Sequence, residues 1–299
     1  MKSETFRFQL GNFSCIAIQD DAPRYPIGMF LTNLARERFE PGLLERGEDP
    51  QQIEIPYTCL LINTGRDRVL VDTGIGVDSL RPSQGKLLPL LRAEGIEPHE
   101  IGTVVLSHGH SDHVGGSLNE AGQPAFPNAR YVMFRKEWDF WMSSPSLAEL
   151  PVDESFKRGM LASAQKNLPG VQAQLDLVHP ETEIVPGIIA IAAFGHSPGQ
   201  MALEISSAEK RLLFVADAIV HPLHLEYPET IGVTDHLPGQ MVATRIRLLE
   251  KAAREKSLVS TSHFSFPGLG HVVPKGDRWE WRALPRRGEA RGQTRSGAA

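Results

Sequence analysis

The segment His108-Gly109-His110-Ser111-Asp112-His113 decides the fold of this 299-residue chain. Its three imidazoles and one carboxylate lie within six residues, and the imidazoles would repel one another if they were all protonated. Such a cluster is typical of a cation site, because neutral imidazole suits Zn²⁺, Fe or Mn and carboxylate is a harder ligand. A solvated polar turn is the alternative. The density of histidines favours the metal site.

A carboxylate or an imidazole follows each of five apolar runs of the chain. These residues are Asp72, His108, His196, Asp217 and His263. Loops at strand ends of α/β proteins gather around a common cleft. We therefore expect these five side chains to converge on one site.

Hydrophobic periodicity predicts an α/β chain. Two strands are expected near the N-terminus, at 6–10 and 13–19. Further strands are predicted at 57–63, 68–72, 103–107, 130–134, 188–194, 201–206, 211–216 and 258–262. Helices are predicted at 86–94, around Trp138 and Trp141, and where Val242, Ile246, Leu249 and Ala253 mark one amphipathic face.

The strands and helices recur in two blocks without a linker, which predicts a single domain over 1–284. Residues 20–56 are predicted to form a long loop region with short helical turns, either a substrate lid or a subunit contact. Its apolar residues Ile27, Met29, Phe30 and Leu31 favour a subunit contact, so we expect a homodimer. The tail 285–299 has almost nothing to bury and is predicted to be disordered.

Composition excludes several classes of protein. Hydrophobic residues make up 41% and charged residues 22%, which is typical of a globular chain. The net charge of −5 argues against nucleic acid and anionic membranes as partners. No apolar run is long enough to span a membrane and no secretion signal is evident. Cys15 and Cys59 lack CxxC spacing, so we expect buried thiols in a cytoplasmic protein.

The motifs at the strand ends resemble those of the metallo-β-lactamase-fold hydrolases. The segment 108–113 resembles their HxHxDH signature, and the other matches follow in the family's order: Leu70-Val71-Asp72-Thr73-Gly74, Gly195-His196-Ser197-Pro198-Gly199, Val215-Ala216-Asp217 and His263. The resemblance implies an αβ/βα four-layer sandwich with a dinuclear metal site at the sheet edge.

The same resemblance implies the metal ligands, position by position. One metal would be held by His108, His110 and His196, the second by Asp112, His113 and His263, and Asp217 would bridge them. Two divalent ions are expected, with zinc first and Fe or Mn as alternatives. Asp72 is not expected as a ligand. It would either orient a ligand imidazole or cap the turn at Thr73-Gly74, and both can hold.

The segment 263–271 is similar to that of methyl parathion hydrolase-like members, with N-acyl homoserine lactonases as more distant relatives. Gln200 stands where many relatives have a histidine that is generally not a ligand. Lactonases of the homoserine-lactone type carry a tyrosine shortly after the bridging aspartate, whereas residues 217–222 read Asp-Ala-Ile-Val-His-Pro. This departure weakens the specific interpretation as a lactonase of that type.

The implied chemistry is hydrolysis by a metal-bridging hydroxide. Asp112 would orient the hydroxide or take its proton. His221 would protonate the leaving group, unless it packs beside Pro222. This machinery serves esters, lactones and phosphotriesters. The alternatives are a mononuclear-iron sulfur dioxygenase-like enzyme and a non-catalytic, metal-stabilised binding scaffold.

A small, neutral and fairly apolar substrate is expected, because no Arg/Lys cluster adjoins the ligand motifs. Phe264, Phe266 and Leu269 are predicted to line the pocket. Trp138 and Trp141 would either join that wall or pack onto the sheet.

Overall fold

Two packed β-sheets form the centre of the fold in the computed structural model, which describes residues 3–76 and 84–285. The strands in this part of the chain are β1 (Thr5–Leu10), β2 (Phe13–Asp21), β3 (Arg24–Pro26), β4 (Gln52–Glu54), β5 (Tyr57–Asn63), β6 (Arg68–Val71), β7 (Thr103–Val105), β8 (Arg130–Phe134), β9 (Leu175–Val178), β10 (Thr182–Val185), β11 (Ile188–Ala192), β12 (Met201–Ser207), β13 (Lys210–Phe214), β14 (Leu258–Ser260), β15 (Leu269–Lys275) and β16 (Arg278–Ala283). The α-helices are α1 (Arg36–Glu45), α2 (Leu87–Ala93), α3 (Ser111–Val114), α4 (Arg135–Met142), α5 (Glu154–Gly170), α6 (Leu223–Glu226) and α7 (Pro238–Glu255).

The first sheet has the strand order β1-β2-β5-β6-β7-β8-β9, and the second has the order β10-β11-β12-β13-β14-β15-β16. Strands β6 to β9 run parallel to one another, as do β13 and β14. The carboxyl ends of parallel strands lie at the same edge of a sheet. The loops that carry the predicted ligands therefore begin at one edge of each sheet.

Three hydrophobic clusters separate the layers. The cluster between the sheets joins Val71 and Val105 to Leu203 and Phe214. Helices α2, α4 and α5 cover the outer face of the first sheet, and α7 covers the outer face of the second. This is the predicted αβ/βα four-layer sandwich.

The predicted strands and helices are present, most within a few residues of their predicted bounds. The buried face of α7 differs from the predicted one, because it includes two polar residues, Thr244 and Arg245. The Arg245 guanidinium donates hydrogen bonds to the backbone carbonyls of Ala218, Pro228 and Thr230. A polar residue on a buried face shifts the face away from the one that the apolar pattern marks. The predicted set lacks helices α1, α3, α5 and α6 and strands β3, β4, β9, β10, β15 and β16.

The prediction of a long loop over 20–56 is wrong in part. This segment contains β3, β4, α1 and a 3-10 helix at Ile27–Met29. Ile27 and Leu31 are buried with Leu43 and Leu223 in a fourth hydrophobic cluster. The apolar residues on which the homodimer prediction rests therefore pack largely within their own chain. The dimer stays a prediction. Residues 286–299 of the predicted disordered tail lie outside the described residues.

Buried Asp20 lies where β2 meets the segments at Ile75 and Leu87. Its side chain accepts hydrogen bonds from the backbone N–H of Ile75 at 2.8 Å and of Leu87 at 2.7 Å. Burial outweighs these bonds and raises the pKa of Asp20 to about 6, from 3.8. The native state therefore binds a proton that the unfolded state releases between these two values, and stability declines as the pH rises through this window.

We predict that the difference in unfolding free energy between wild type and Asp20→Asn falls as the pH rises. Between pH 5 and pH 7.5 the fall is expected to be roughly 1–2 kcal/mol. Urea unfolding of both proteins measures it, and groups common to both cancel in the difference. A difference that is flat or that grows with pH would contradict the raised pKa.

Candidate metal centre

All seven predicted ligands lie together, and each follows a strand of one of the two sheets. The loop after β7 supplies His108 and His110, and α3 supplies Asp112 and His113. From the second sheet, His196 follows β11, Asp217 follows β13 in a 3-10 helix at Ala216–Ala218, and His263 follows β14. The convergence of strand ends predicted from the sequence is confirmed by this arrangement.

A first cluster consists of His108, His110, His196 and Asp217, whose ligand atoms all lie within 4.8 Å of one another. Nε2 of His196 is 2.9 Å from Nδ1 of His110 and 3.3 Å from Oδ2 of Asp217. Burial lowers the pKa of His108 and His110 well below the usual value for histidine. Both rings are thus kept neutral, which is the form that binds metals.

A second cluster consists of Asp112, His113 and His263, again within 4.8 Å. Oδ2 of Asp112 is 3.6 Å from Nε2 of His113 and 3.7 Å from Nε2 of His263. The His263 Nδ1–H donates to the Pro56 carbonyl at 2.9 Å, so Nε2 is directed toward the carboxylates.

Asp217 contacts both clusters. Its Oδ1 is 3.1 Å from Nε2 of His113, and its Oδ2 is 3.0 Å from Nε2 of His263 and 3.3 Å from Nε2 of His196. Burial alone would raise the pKa of this carboxyl, but the imidazoles of His263 and His113 hold it well below its usual value. Asp217 therefore has the position and the charge of a bridging ligand.

Two ring nitrogens test whether the site fits metal ions. Nε2 of His108 is buried without a hydrogen-bond partner, and Nε2 of His113 is buried and faces the carboxylate of Asp217 at 3.1 Å without a well-directed hydrogen bond. A buried polar atom without a partner is costly, and in a native protein it often marks an ion. Nitrogen and carboxylate donors in this number also suit zinc. The residues present therefore fit two divalent cations.

Asp72 orients one of the ligand imidazoles. Its Oδ2 accepts from Nδ1–H of His113 at 2.7 Å, and its two oxygens accept from the backbone N–H and the hydroxyl of Ser107. These bonds confirm the predicted orienting role and leave Nε2 of His113 facing the site. No hydrogen bond from Asp72 to the Thr73-Gly74 turn is seen among the described residues.

Asp235 plays the corresponding role for His196 and was missed from the sequence. Its Oδ1 accepts from Nδ1–H of His196 at 2.8 Å, and its Oδ2 accepts from the Gly232 backbone N–H at 2.7 Å. Asp235 follows no apolar strand, so the pattern that found the other residues does not mark it.

The structure places His221 away from the metal ligands. Its Nε2 pairs with the Glu48 carboxylate at 2.9 Å, and its Nδ1 accepts from the Leu223 backbone N–H. His221 is not among the residues that line the cavity at the centre. Nε2 thus ties the residue before α6 to the N-terminal segment, and Nδ1 is occupied by a local bond at the start of α6. Both contacts oppose the predicted catalytic role.

A cavity opens onto the ligands, and most of its wall is apolar. The apolar and aromatic residues of the wall are Tyr25, Met29, Phe30, Ile55, Tyr57, Phe156, Met160, Val220 and Val233. They come from segment 20–56, the start of β5, α5, the loop after Asp217 and the loop between α6 and α7, so the predicted wall is wrong. Trp141 is buried, and its indole N–H donates a hydrogen bond to Glu137. Phe264 packs on Trp281, with the ring centroids 4.8 Å apart. Trp138, Phe266 and Leu269 do not line the cavity either.

Known proteins are similar to this chain in sequence and fold. The family model of the metallo-beta-lactamase superfamily matches residues 54–263. The chain belongs to this superfamily. An N-acyl homoserine lactonase of Bacillus thuringiensis is 24% identical over 230 residues, which cover 71% of this chain and 82% of the lactonase.

Two solved structures have a similar fold. The dizinc quorum-quenching lactonase AidC, in complex with a product, is 26% identical with a TM-score of 0.88, and the match covers 95% of this chain and 98% of AidC. The hydrolase AbOPH of the beta lactamase superfamily is 23% identical with a TM-score of 0.86, over 96% of this chain and 99% of its own.

These relatives confirm the predicted class, a metal-dependent hydrolase, and support a site for two divalent metal ions. The finer resemblance to methyl parathion hydrolase stays a prediction. Within residues 3–76 and 84–285, no helix is both long and apolar enough to cross a membrane.

We predict that Asp235→Asn weakens metal binding by about 10- to 100-fold, because the amide removes the anionic partner of His196. Competition with a chromogenic chelator measures the affinity. Asp277→Asn is the control, since Asp277 is 91% exposed at its side chain. Equal affinities for the Asp235 variant and wild type would show that this carboxylate does not support the ligand.

Proposed function

We propose that this protein is a dizinc lactonase that acts on neutral lactones with an apolar substituent. The observation that carries the proposal is the placement of both ligand clusters, joined through Asp217, beside one cavity with an apolar wall. The ligands supply the chemistry and the wall supplies the site for the apolar group.

The relatives support the same class of substrate. AidC is a dizinc lactonase by its description, and it is similar to this chain over nearly the whole length of both proteins. The Bacillus lactonases point to the same chemistry at 24% identity. Residues 218–222 contain no tyrosine, in contrast to lactonases of the homoserine-lactone type, so the proposal is made for lactones in general and not for that type.

Zinc ions bound by the two clusters would supply a hydroxide near neutral pH and polarise the scissile carbonyl. The protein's own residues orient the reactants. Asp112 lines the cavity and is the more exposed of the two site carboxylates, at 16% of its side chain against 6% for Asp217. We assign to Asp112 the orientation of the attacking water and the acceptance of its proton.

The charges around the cavity favour a neutral substrate. Its lining includes the carboxylates Asp112, Asp217 and Asp235 and one cationic side chain, Arg245. Arg245 already donates to three backbone carbonyls and lacks the free fork that binds phosphate. An anionic phosphomonoester would therefore lack a cationic side chain to receive it.

The other candidate functions have less support. A mononuclear-iron sulfur dioxygenase would not need the second cluster, yet Asp112, His113 and His263 are assembled. A binding scaffold would not explain why Nε2 of His108 is buried without a hydrogen-bond partner beside Asp217. Aryl esters and phosphotriesters share the required chemistry and enter the test as competing substrates.

We predict that kcat/KM is highest for a γ- or δ-lactone with an apolar substituent. The comparison is made on zinc-loaded protein with an aryl ester, an aryl phosphotriester and an aryl phosphomonoester of similar size. If the phosphotriester exceeds the lactone, the proposed substrate class is wrong. If the phosphomonoester leads, the argument from charge is wrong as well.

We predict that Asp217→Asn loses at least nine-tenths of the activity without unfolding. The amide lacks the negative charge that holds two dications close together. Even a substitution of a residue that only hydrogen-bonds a metal ligand lowers activity by about tenfold. The core comes from the sheets and helices, so circular dichroism should match that of wild type. Activity above a tenth of wild type in the folded variant would argue against the bridging role.

A further inference from the structure

The carboxylate of Glu137, near the start of α4, is fully buried and accepts four hydrogen bonds. Its Oε1 accepts from the Gly109 backbone N–H at 2.9 Å, from the Trp141 indole N–H at 2.7 Å and from the Ser197 hydroxyl. Its Oε2 accepts from the Gly199 backbone N–H at 2.8 Å. Four donors surround the group, which matches the acceptor-only character of a carboxylate.

These bonds hold two ligand loops that come from different sheets. Gly109 lies between His108 and His110, and residues 197–199 directly follow His196. One side chain of α4 thus fastens both segments that carry the three imidazoles of the first cluster. The bonds from Ser197 and Gly199 cross from the second sheet's loop to a helix packed on the first sheet.

Both loops also pack on α4 without free space. A Cβ atom on Gly199 would lie 2.3 Å from the backbone nitrogen of Glu137. A Cβ atom on Gly109 would lie 2.2 Å from Nε1 of Trp141. Neither distance is sterically allowed, so the backbone of each loop is held directly against the helix.

The first cluster has particular need of such support. Three of its candidate ligands are imidazoles, and its one candidate carboxylate, Asp217, also contacts the second cluster, which has Asp112 in addition. Negative charge behind the first cluster comes from Asp235 on His196 and from Glu137 beneath both loops. A buried carboxylate close to a dication acts through a medium of low dielectric and is weakly screened.

We propose that Glu137 is a positioning residue that fixes the spacing of the two loops and so sets the metal affinity of the His108–His110–His196 site selectively. The proposal rests on the two-metal part of the proposed function and is independent of the substrate.

The test is stepwise zinc removal from Glu137→Gln. The amide keeps the size of the side chain, but its NH₂ group cannot accept a hydrogen bond and would face the N–H or O–H donors that bind the carboxylate. Zinc-loaded protein is titrated with chelators, and the zinc retained per chain is counted by atomic emission. The first zinc ion is expected to leave the variant at a chelator concentration about tenfold or more below the concentration that removes the first zinc ion from wild type. A crystal structure of the half-depleted variant should show zinc only at Asp112, His113 and His263.

The matched control is Asp139→Asn, which removes an exposed carboxylate from the same helix and should release zinc as wild type does. If Glu137→Gln does not fold, Ser197→Ala removes one donor and keeps the carboxylate. It should give a smaller shift in the same direction.

The outcomes separate the two claims. If wild type itself holds fewer than two zinc ions, the proposed function fails. If wild type holds two and the Glu137 or Ser197 variant releases both as wild type does, the positioning role is overturned while the proposed function stands. Loss of zinc from the Asp112 site first would overturn the positioning role too.

Discussion

The carboxylate of Asp217 is the contact on which the rest of the site depends. It comes from the second sheet and lies 3.1 Å from the imidazole of His113, which comes from the first. On its own sheet it lies 3.0 Å from His263 and 3.3 Å from His196. A buried carboxylate is costly unless positive charge or donors surround it. The four-layer packing therefore needs this group to be matched, and metal ions bound by the imidazoles would match it.

Around this contact the fold divides the work between two sets of elements. The apolar strands end at one edge and bring the ligands there, while polar groups outside the ligand set fix the orientation of the rings. Asp72 accepts a hydrogen bond from Nδ1–H of His113, and Asp235 accepts one from Nδ1–H of His196. Glu137 accepts hydrogen bonds from the backbone of two loops. The wall of the cavity comes from elsewhere, since residues 20–56 and α5 supply most of its apolar side chains.

The clustering of the seven candidate ligands could be predicted from sequence because each belongs to a motif or directly follows an apolar strand. The outer carboxylates could not all be predicted in this way. Asp235 stands in a loop without a preceding strand, and Glu137 lies at the start of a helix where an acidic residue is ordinary. The sequence of segment 20–56 predicts a loop because its elements are short and interrupted by proline and glycine, and α1 even contains Pro41. Its burial depends on contacts with residues near 220, far along the chain.

The central claim is that two metal ions share Asp217 at the meeting edge of the sheets. Anomalous diffraction at the zinc edge from zinc-loaded crystals tests it most directly. The account predicts two peaks about 3.5–4 Å apart, one beside His108, His110 and His196 and the other beside Asp112, His113 and His263, with the Asp217 carboxylate between them. A single peak in crystals of fully active, zinc-saturated protein would contradict it.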